Sequence, residues 1–372
     1  MAEFVFNDVI RSQRGEFFLK TATNDRQQQI VSSFFRNGTL LESRTRELNP
    51  DWSSEALRAR TREFHNEKKN EIQMLLQLSE KLRDSDQAEI KNLLGMAFMR
   101  RGMHEEAIVE FEEAIVLNAK LSMVYNNLGR AYLAMNRNDE AIAVLEQAVA
   151  MSPDYADFHN NLGSAYLKKE HCKKAVDQFL RATDSNPYYA DAYFNLARAY
   201  VLNALTKEDF ALSINCHQKV GDSIEKAAKI NPSYRNEHVN QAEVFLKQKK
   251  YEEAYKALEA SLAKVVVPTD MAFIMDFYLH VIYHSENLSS RHIWRHIRQL
   301  QEVIEKYPNY ADLYNHLGVA YVIMSKFVNH KAIQQFEKAM KINPEFERAR
   351  RNKRLAEYDH KGMQLLFDAI LK

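Results

Sequence analysis

The chain has 372 residues, 46% of them hydrophobic and 27% charged, with a formal net charge of +1. That balance is enough for a continuous core but gives no global attraction to nucleic acid or acidic lipid. Cys172 and Cys216 stand far apart with no other cysteine, which argues against a disulfide framework or zinc ribbon and fits a reducing compartment.

Residues 1-52 form an N-terminal segment with apolar clusters at Phe4 to Phe6, Phe17 to Leu19 and Ile30 to Phe35, ending at the Asn49-Pro50 break. Its phenylalanines either wrap onto the rest of the chain or form a partner-binding arm. Glu3 and Asp8 stand where a secretory signal needs a basic start and an unbroken apolar run, so a cytoplasmic location is expected. The most apolar stretch, Met271 to Tyr283, contains Asp276 and His280 and falls short of the ~20 residues that span a bilayer.

Residues 53-87 read as one long capping helix, started by Ser53 or Ser54 and carrying Leu57, Phe64, Ile72, Leu75, Leu76 and Leu82. Asp86 with Glu89 then has the spacing of a capping box for the next helix. From there a 34-residue period sets in. Leu94, Leu128 and Leu162 keep it, as do Gly95, Gly129 and Gly163, Phe98, Tyr132 and Tyr166, and Ala107, Ala141 and Ala175. Apolar spacings of three and four on either side of a break predict two short amphipathic helices per period. The glycine lets a neighbouring helix approach. Pro153, Pro187, Pro232, Pro308 and Pro344 close five of the units, because proline lacks the amide donor and restricts its predecessor.

These residues resemble the tetratricopeptide repeat family, whose signature is Leu-Gly-x-x-Tyr, Ala-x-x-x-Phe and a terminal Pro over 34 residues. The resemblance implies an all-α fold: a right-handed superhelical solenoid of about seven helix-turn-helix units, with capping helices at both ends. The array spans 88-344. Units 88-121, 122-155 and 156-189 are regular, and 190-234 carries an insertion near 201-223. Within it, Thr206 and Asp209 suggest a lengthened second helix, broken near Gly221. Units 235-268 and 269-310 are degenerate. Unit 311-346 is clear again, with Leu317, Gly318, Tyr321, Ala332, Phe336, Ala339 and Pro344. Residues 347-372 read as the C-terminal capping helix, with Ala349, Leu355, Leu365, Leu366 and Ile370 available for packing.

No phosphate cradle, His-Glu-x-x-His motif or Gly-x-Ser-x-Gly elbow occurs, so no enzymatic function and no cofactor is expected. His280 and His284, and His292 and His296, have the four-residue spacing that could offer imidazoles to a transition metal. Arg291, Arg295 and Arg298 among them disfavour a cation, and a partly exposed basic surface is the preferred reading.

In this family the first helix of each unit lines a concave groove. The corresponding stripe here holds Met123, Asn127 and Arg130, then Asp157, Asn161 and Ser164, then Asp191, Asn195 and Arg198, with Asn126 and Asn160 immediately before two of its asparagines. Amide side chains both donate and accept, so a ladder of them can pair with an extended peptide of any sequence. The asparagines can equally bond to adjacent helices within the array. Family members that grip the carboxylate tail of cytosolic chaperones use basic groove residues, where this chain has Asn92, Asp157, Asn161, Asn126, Asp191 and Asn195. Acidic groups there repel a terminal carboxylate. The leading expectation is therefore a non-catalytic interaction scaffold or adaptor that binds a peptide or helix of another protein and assembles a complex. A regulatory subunit of an enzyme uses the same groove. The alternative is a nucleic-acid-associated factor working through basic helices, one of them the run Arg348, Arg350, Arg351, Lys353 and Arg354.

Overall fold

The computed structural model describes residues 4–24, 28–49, 51–265, 289–306, 311–342 and 348–358, with residues 274, 277, 278, 281 and 308. The chain divides into two units, Met1–Ala263 and Lys264–Lys372.

The first unit opens with a feature absent from the sequence reading. Strands β1 (Val5–Ser12), β2 (Gly15–Asn24), β3 (Gln29–Arg36) and β4 (Thr39–Glu47) form an antiparallel meander in chain order. Alternation builds it: Phe17, Leu19 and Thr21 of β2 and Ile30, Ser32 and Phe34 of β3 are all buried on one face. Phe17 and Phe34 stack at 5.3 Å between centroids. Burying each such ring contributes roughly 1.5–3 kcal/mol. Arg36 pairs with Thr39, so Asn37 and Gly38 form a two-residue turn, with φ of 49° and 80°. The phenylalanines are thus sheet residues rather than an arm.

Helix α1 (Ser54–Lys81) covers the buried face, packing on β1, β2 and β3. The Ser53 hydroxyl accepts from the Ala56 amide at its start. Leu57 and Phe64 join Ile30 and Leu48 in one cluster. At its end the expected capping box does not form: Gln87 is the N-cap of the next helix and makes no side-chain cap bond.

Helical hairpins follow: α2 (Ala88–Arg100) with α3 (His104–Leu117), α4 (Ser122–Ala134) with α5 (Asn138–Met151), and α6 (Ala156–Lys168) with α7 (Cys172–Ser185). The periodic residues are the contact residues. Ala141, Leu145 and Ala148 are fully buried, and a Cβ on Gly129 would stand 2.4 Å from Leu145 Cγ. Each hairpin turns through one left-handed residue at the same repeat position: Gly102, Asn136 and Glu170, with φ of 68°, 58° and 60°.

In the fourth unit the insertion lengthens the first helix, not the second. Helix α8 (Ala190–Thr206) runs on to Thr206, α9 (Phe210–Ser213) is capped by Asp209, and α10 (Cys216–Ile230) passes through Gly221 unbroken. A 3-10 turn at Pro232–Tyr234 leads into α11 (Glu237–Lys247) and α12 (Tyr251–Leu262). Here the stacking changes: α12 packs on α8, while α11 touches α10 only slightly.

The second unit contains α13 (Ser290–Lys306) and α14 (Ala311–Ile342), joined by a core that includes Ile297, Leu300, Leu313, Ala320 and Ile323. The residues read as a seventh hairpin lie on one continuous helix. No residue between Tyr321 and Ala332 leaves helical geometry, whereas the earlier hairpins each turn through a left-handed residue. Ala332, Phe336 and Ala339 are accordingly only half-buried. Residues 348–358 are helical with Ala349 buried and Leu355 exposed; Leu365, Leu366 and Ile370 lie outside the described residues.

Candidate functional site

Helices α2, α4, α6 and α8 pack on one another in succession, which places these first helices on the inner side of the array. Their asparagines make one recurring bond. Asn127 Nδ2 donates to Asn92 Oδ1 at 2.9 Å, Asn161 Nδ2 to Asn126 Oδ1 at 2.8 Å, and Asn195 Nδ2 to Asn160 Oδ1 at 3.0 Å. Each bond joins one first helix to the next. Asn126 also donates to Asp157 and Asn160 to the Tyr189 hydroxyl, at 3.4 and 3.3 Å. Asn126, Asn127 and Asn160 are 1%, 2% and 6% exposed, while Asn92, Asn161 and Asn195 are half-buried, so the ladder clips repeat to repeat.

What faces outward is the rest of the stripe. Met123 and Arg130 are exposed, and Asp157 and Ser164 half-exposed. Arg130 leans on Asn127 Oδ1 at 3.5 Å. Tyr189 sits under Asp191, Asp157 and Arg130, and burial, with the two carboxylates, pushes its hydroxyl pKa up.

At α8 the inner stripe is covered by the chain itself. Tyr234 donates its hydroxyl to Asp191 and packs its ring on Phe194, 4.7 Å between centroids. Arg198 is bound to Asn195 Oδ1 at 2.7 Å and to the Glu259 carboxylate of α12. Asp191, Asn195 and Arg198, expected in the groove, are therefore held by intramolecular partners, and the open part of the inner face ends at α6.

The remaining candidates separate. His280 and His284 lie outside the described residues. His292 is exposed beside Ser289, at 3.1 Å, whereas His296 is buried and stacks on Phe277 at 3.8 Å. Burial and the neighbouring His316 push its pKa down to about 3. The two do not share an environment in which to hold an ion. Of the basic run, Arg348, Arg351 and Arg354 are exposed; Lys353 is held by Glu337 and Glu357 at 3.1 and 3.3 Å.

One cluster escaped the sequence reading because its members come from a sheet and a helix. His65 bonds to Asp8 Oδ2 and Thr21 Oγ1, both at 2.9 Å, and Thr21 donates to Ser32 Oγ at 2.9 Å. His65 and Lys69 hold the Asp8 carboxyl below its usual range. The residue types are those of a nucleophilic triad, but Thr21 and Ser32 are 0% and 3% exposed, so the cluster pins α1 to the sheet.

Family models for the tetratricopeptide repeat match residues 88–120 and 163–208, and one for the TPR repeat matches 129–170. Together with the hairpins, they show that the segment 88–208 is built of tetratricopeptide repeats, and arrays of such repeats are protein-interaction scaffolds in general. Among solved structures, MamA is similar at 24% identity, covering 46% of this chain and 93% of MamA with a TM-score of 0.36. YrrB, described as a TPR protein with an unusual peptide-binding site, is 15% identical over 57% of this chain and 98% of its own, TM-score 0.37. TTC0263, a thermophilic TPR protein of Thermus thermophilus, is 20% identical over 53% and 97%, TM-score 0.36. No curated protein matches the chain. Among the described residues no helix is long and apolar enough to cross a membrane.

Proposed function

We propose that this protein is a non-catalytic adaptor that holds a segment of a partner protein, peptide or helix, against the inner face of α2, α4 and α6, and so assembles a multiprotein complex in the cytoplasm. The observation that carries this reading is the division of labour along the stripe. The buried asparagines stack the repeats, leaving Met123, Arg130, Asp157 and Ser164 turned outward between them. An exposed methionine beside an arginine and a carboxylate can take an apolar anchor and fix its register by charge. Free, buried cysteines fit a reducing compartment.

The test is partner recovery from the native source with Arg130→Glu and, separately, Asn127→Ala. Arg130→Glu should lose the partner while keeping the unfolding transition. Recovery undiminished by Arg130→Glu discards the inner face as the binding surface.

A second reading rests on the exposed arginine face of 348–358. Binding of an oligonucleotide at low salt that falls steeply as salt rises would favour it.

A further inference from the structure

The N-terminal sheet has two edges, and they are treated differently. Strand β4 carries Glu42, Arg44, Arg46 and Glu47, follows a register break at Phe34/Phe35, and seats its Leu41 carbonyl so close to Gly102 that a Cβ there would stand 2.1 Å away. Charge, irregularity and cover are the usual protections of a sheet edge. Strand β1 has eight residues in unbroken register with β2, from Val5–Ala22 to Ser12–Gly15, and among the described residues it otherwise packs closely on α1 alone.

The hydrogen-bond phase of β1 follows from Thr23 N donating to Phe4 O at 3.1 Å. Residues 4 and 23 are a bonded pair, so the even-numbered residues of β1 bond to β2. The amides and carbonyls of Val5, Asn7, Val9 and Arg11 point away, along the free edge. Their side chains occupy the sheet face opposite α1, where Val9 and Val5 are 46% and 42% exposed. Val9 pairs with Phe18, Phe18 with Phe35 and Phe35 with Leu40, so an apolar row crosses all four strands and ends at this edge.

The charge left without an ion pair around the edge has one sign. Glu16 is paired with Arg11, and Asp8 with His65 and Lys69. Lys20 and Arg62 have no ion pair among the described residues; Lys20 lies across from Asn7, and Arg62 rests over the Phe6 ring at 5.3 Å. A second copy of β1 would set one basic ledge against another.

We infer that β1 is a docking edge for an extended acidic segment of another protein, which adds a fifth strand with apolar side chains continuing the Val9–Phe18–Phe35–Leu40 row and carboxylates facing Arg62. The main chain supplies the bonds and the alternation supplies the selection. This surface is separate from the inner face of the repeats, and either can fail without the other.

The test uses the full chain and a fluorescent eight-residue peptide alternating valine and glutamate, read by anisotropy. Expected are saturable binding that weakens with salt and at least a tenfold loss when the valine amides are N-methylated, since those donors face the edge. A valine–lysine peptide should bind at least tenfold more weakly. Asn7→Pro removes an outward amide without touching the β2 ladder and should weaken binding at least tenfold. The N-methyl comparison needs no variant and decides the matter if Asn7→Pro misfolds. Equal binding of the lysine or N-methylated peptide overturns the inference. So does a dimer in sedimentation that Asn7→Pro dissociates, since the edge would then be taken by a second copy.

Discussion

Gly163 and Gly318 occupy the same place in the same Leu-Gly motif, yet replacing each with alanine should move stability in opposite directions. At Gly163 a new Cβ would stand 2.7, 2.8 and 3.0 Å from Phe179 Cε1, Cδ1 and Cζ. Phe179 is completely buried, so the ring cannot swing aside. Overpacking of this kind costs about 1–3 kcal/mol. The better helix propensity of alanine returns about 1 kcal/mol, leaving a net loss of up to roughly 2 kcal/mol. At Gly318 nothing among the described residues lies within 4 Å of the added methyl, so only the propensity gain of about 1 kcal/mol remains. Urea unfolding followed by circular dichroism gives both signs, with hydrogen exchange locating the change in α6–α7 or in α14. Adding Phe179→Ala to Gly163→Ala should produce coupling of about 1 kcal/mol or more. Destabilisation by Gly318→Ala of the size seen at Gly163 would refute the continuous-helix account and mean that residues 311–342 pack as a hairpin.

Other substitutions read other parts of the account. Asn161→Ala leaves the buried Asn126 Oδ1 without its donor and should cost about 1–3 kcal/mol in chemical denaturation. The double variant Asn126→Ala/Asn161→Ala should lose less than the sum of the two single losses. Glu170 holds φ at 60° in its hairpin turn, so Glu170→Gly should raise the unfolding midpoint, by about 1 kcal/mol of relieved strain. His296 has its folded pKa pushed down to about 3, below the ordinary 6.5. The unfolded chain therefore binds more protons in that window, and Lys264–Lys372 should lose stability as pH falls from 6.5 toward 3. The slope is at most about 1.4 kcal/mol per pH unit, and His296→Phe should flatten it.

The repeats were legible because each repeated spacing maps onto one contact: Gly129 on Leu145, Gly163 on Phe179, Ala148 at full burial. The sheet was legible in principle and was missed. Asn37-Gly38 between alternating runs is a strong hairpin signal, but the phenylalanine clusters drew attention to apolar content rather than to its period of two. The seventh unit kept its motif residues without its turn, and motif spacing alone does not distinguish a hairpin from a longer helix when each turn residue differs, as Gly102, Asn136 and Glu170 do. The role of the asparagines was legible only as a pair of alternatives, because a side chain that can reach a ligand can also reach a neighbouring helix. The partners of Arg198 and Asp191 are Glu259, in a degenerate unit 61 residues further on, and Tyr234, beyond the insertion 43 residues further on.

The central claim is that partners meet the inner face of the first helices at the side chains the ladder leaves open. A photo-crosslinking residue placed at Met123, 41% exposed on α4, tests it most directly against the same residue at Val116, 86% exposed on α3. The account predicts a partner adduct at Met123 and none at Val116. Adducts at Val116 with none at Met123 would place the binding surface on the second helices and contradict it.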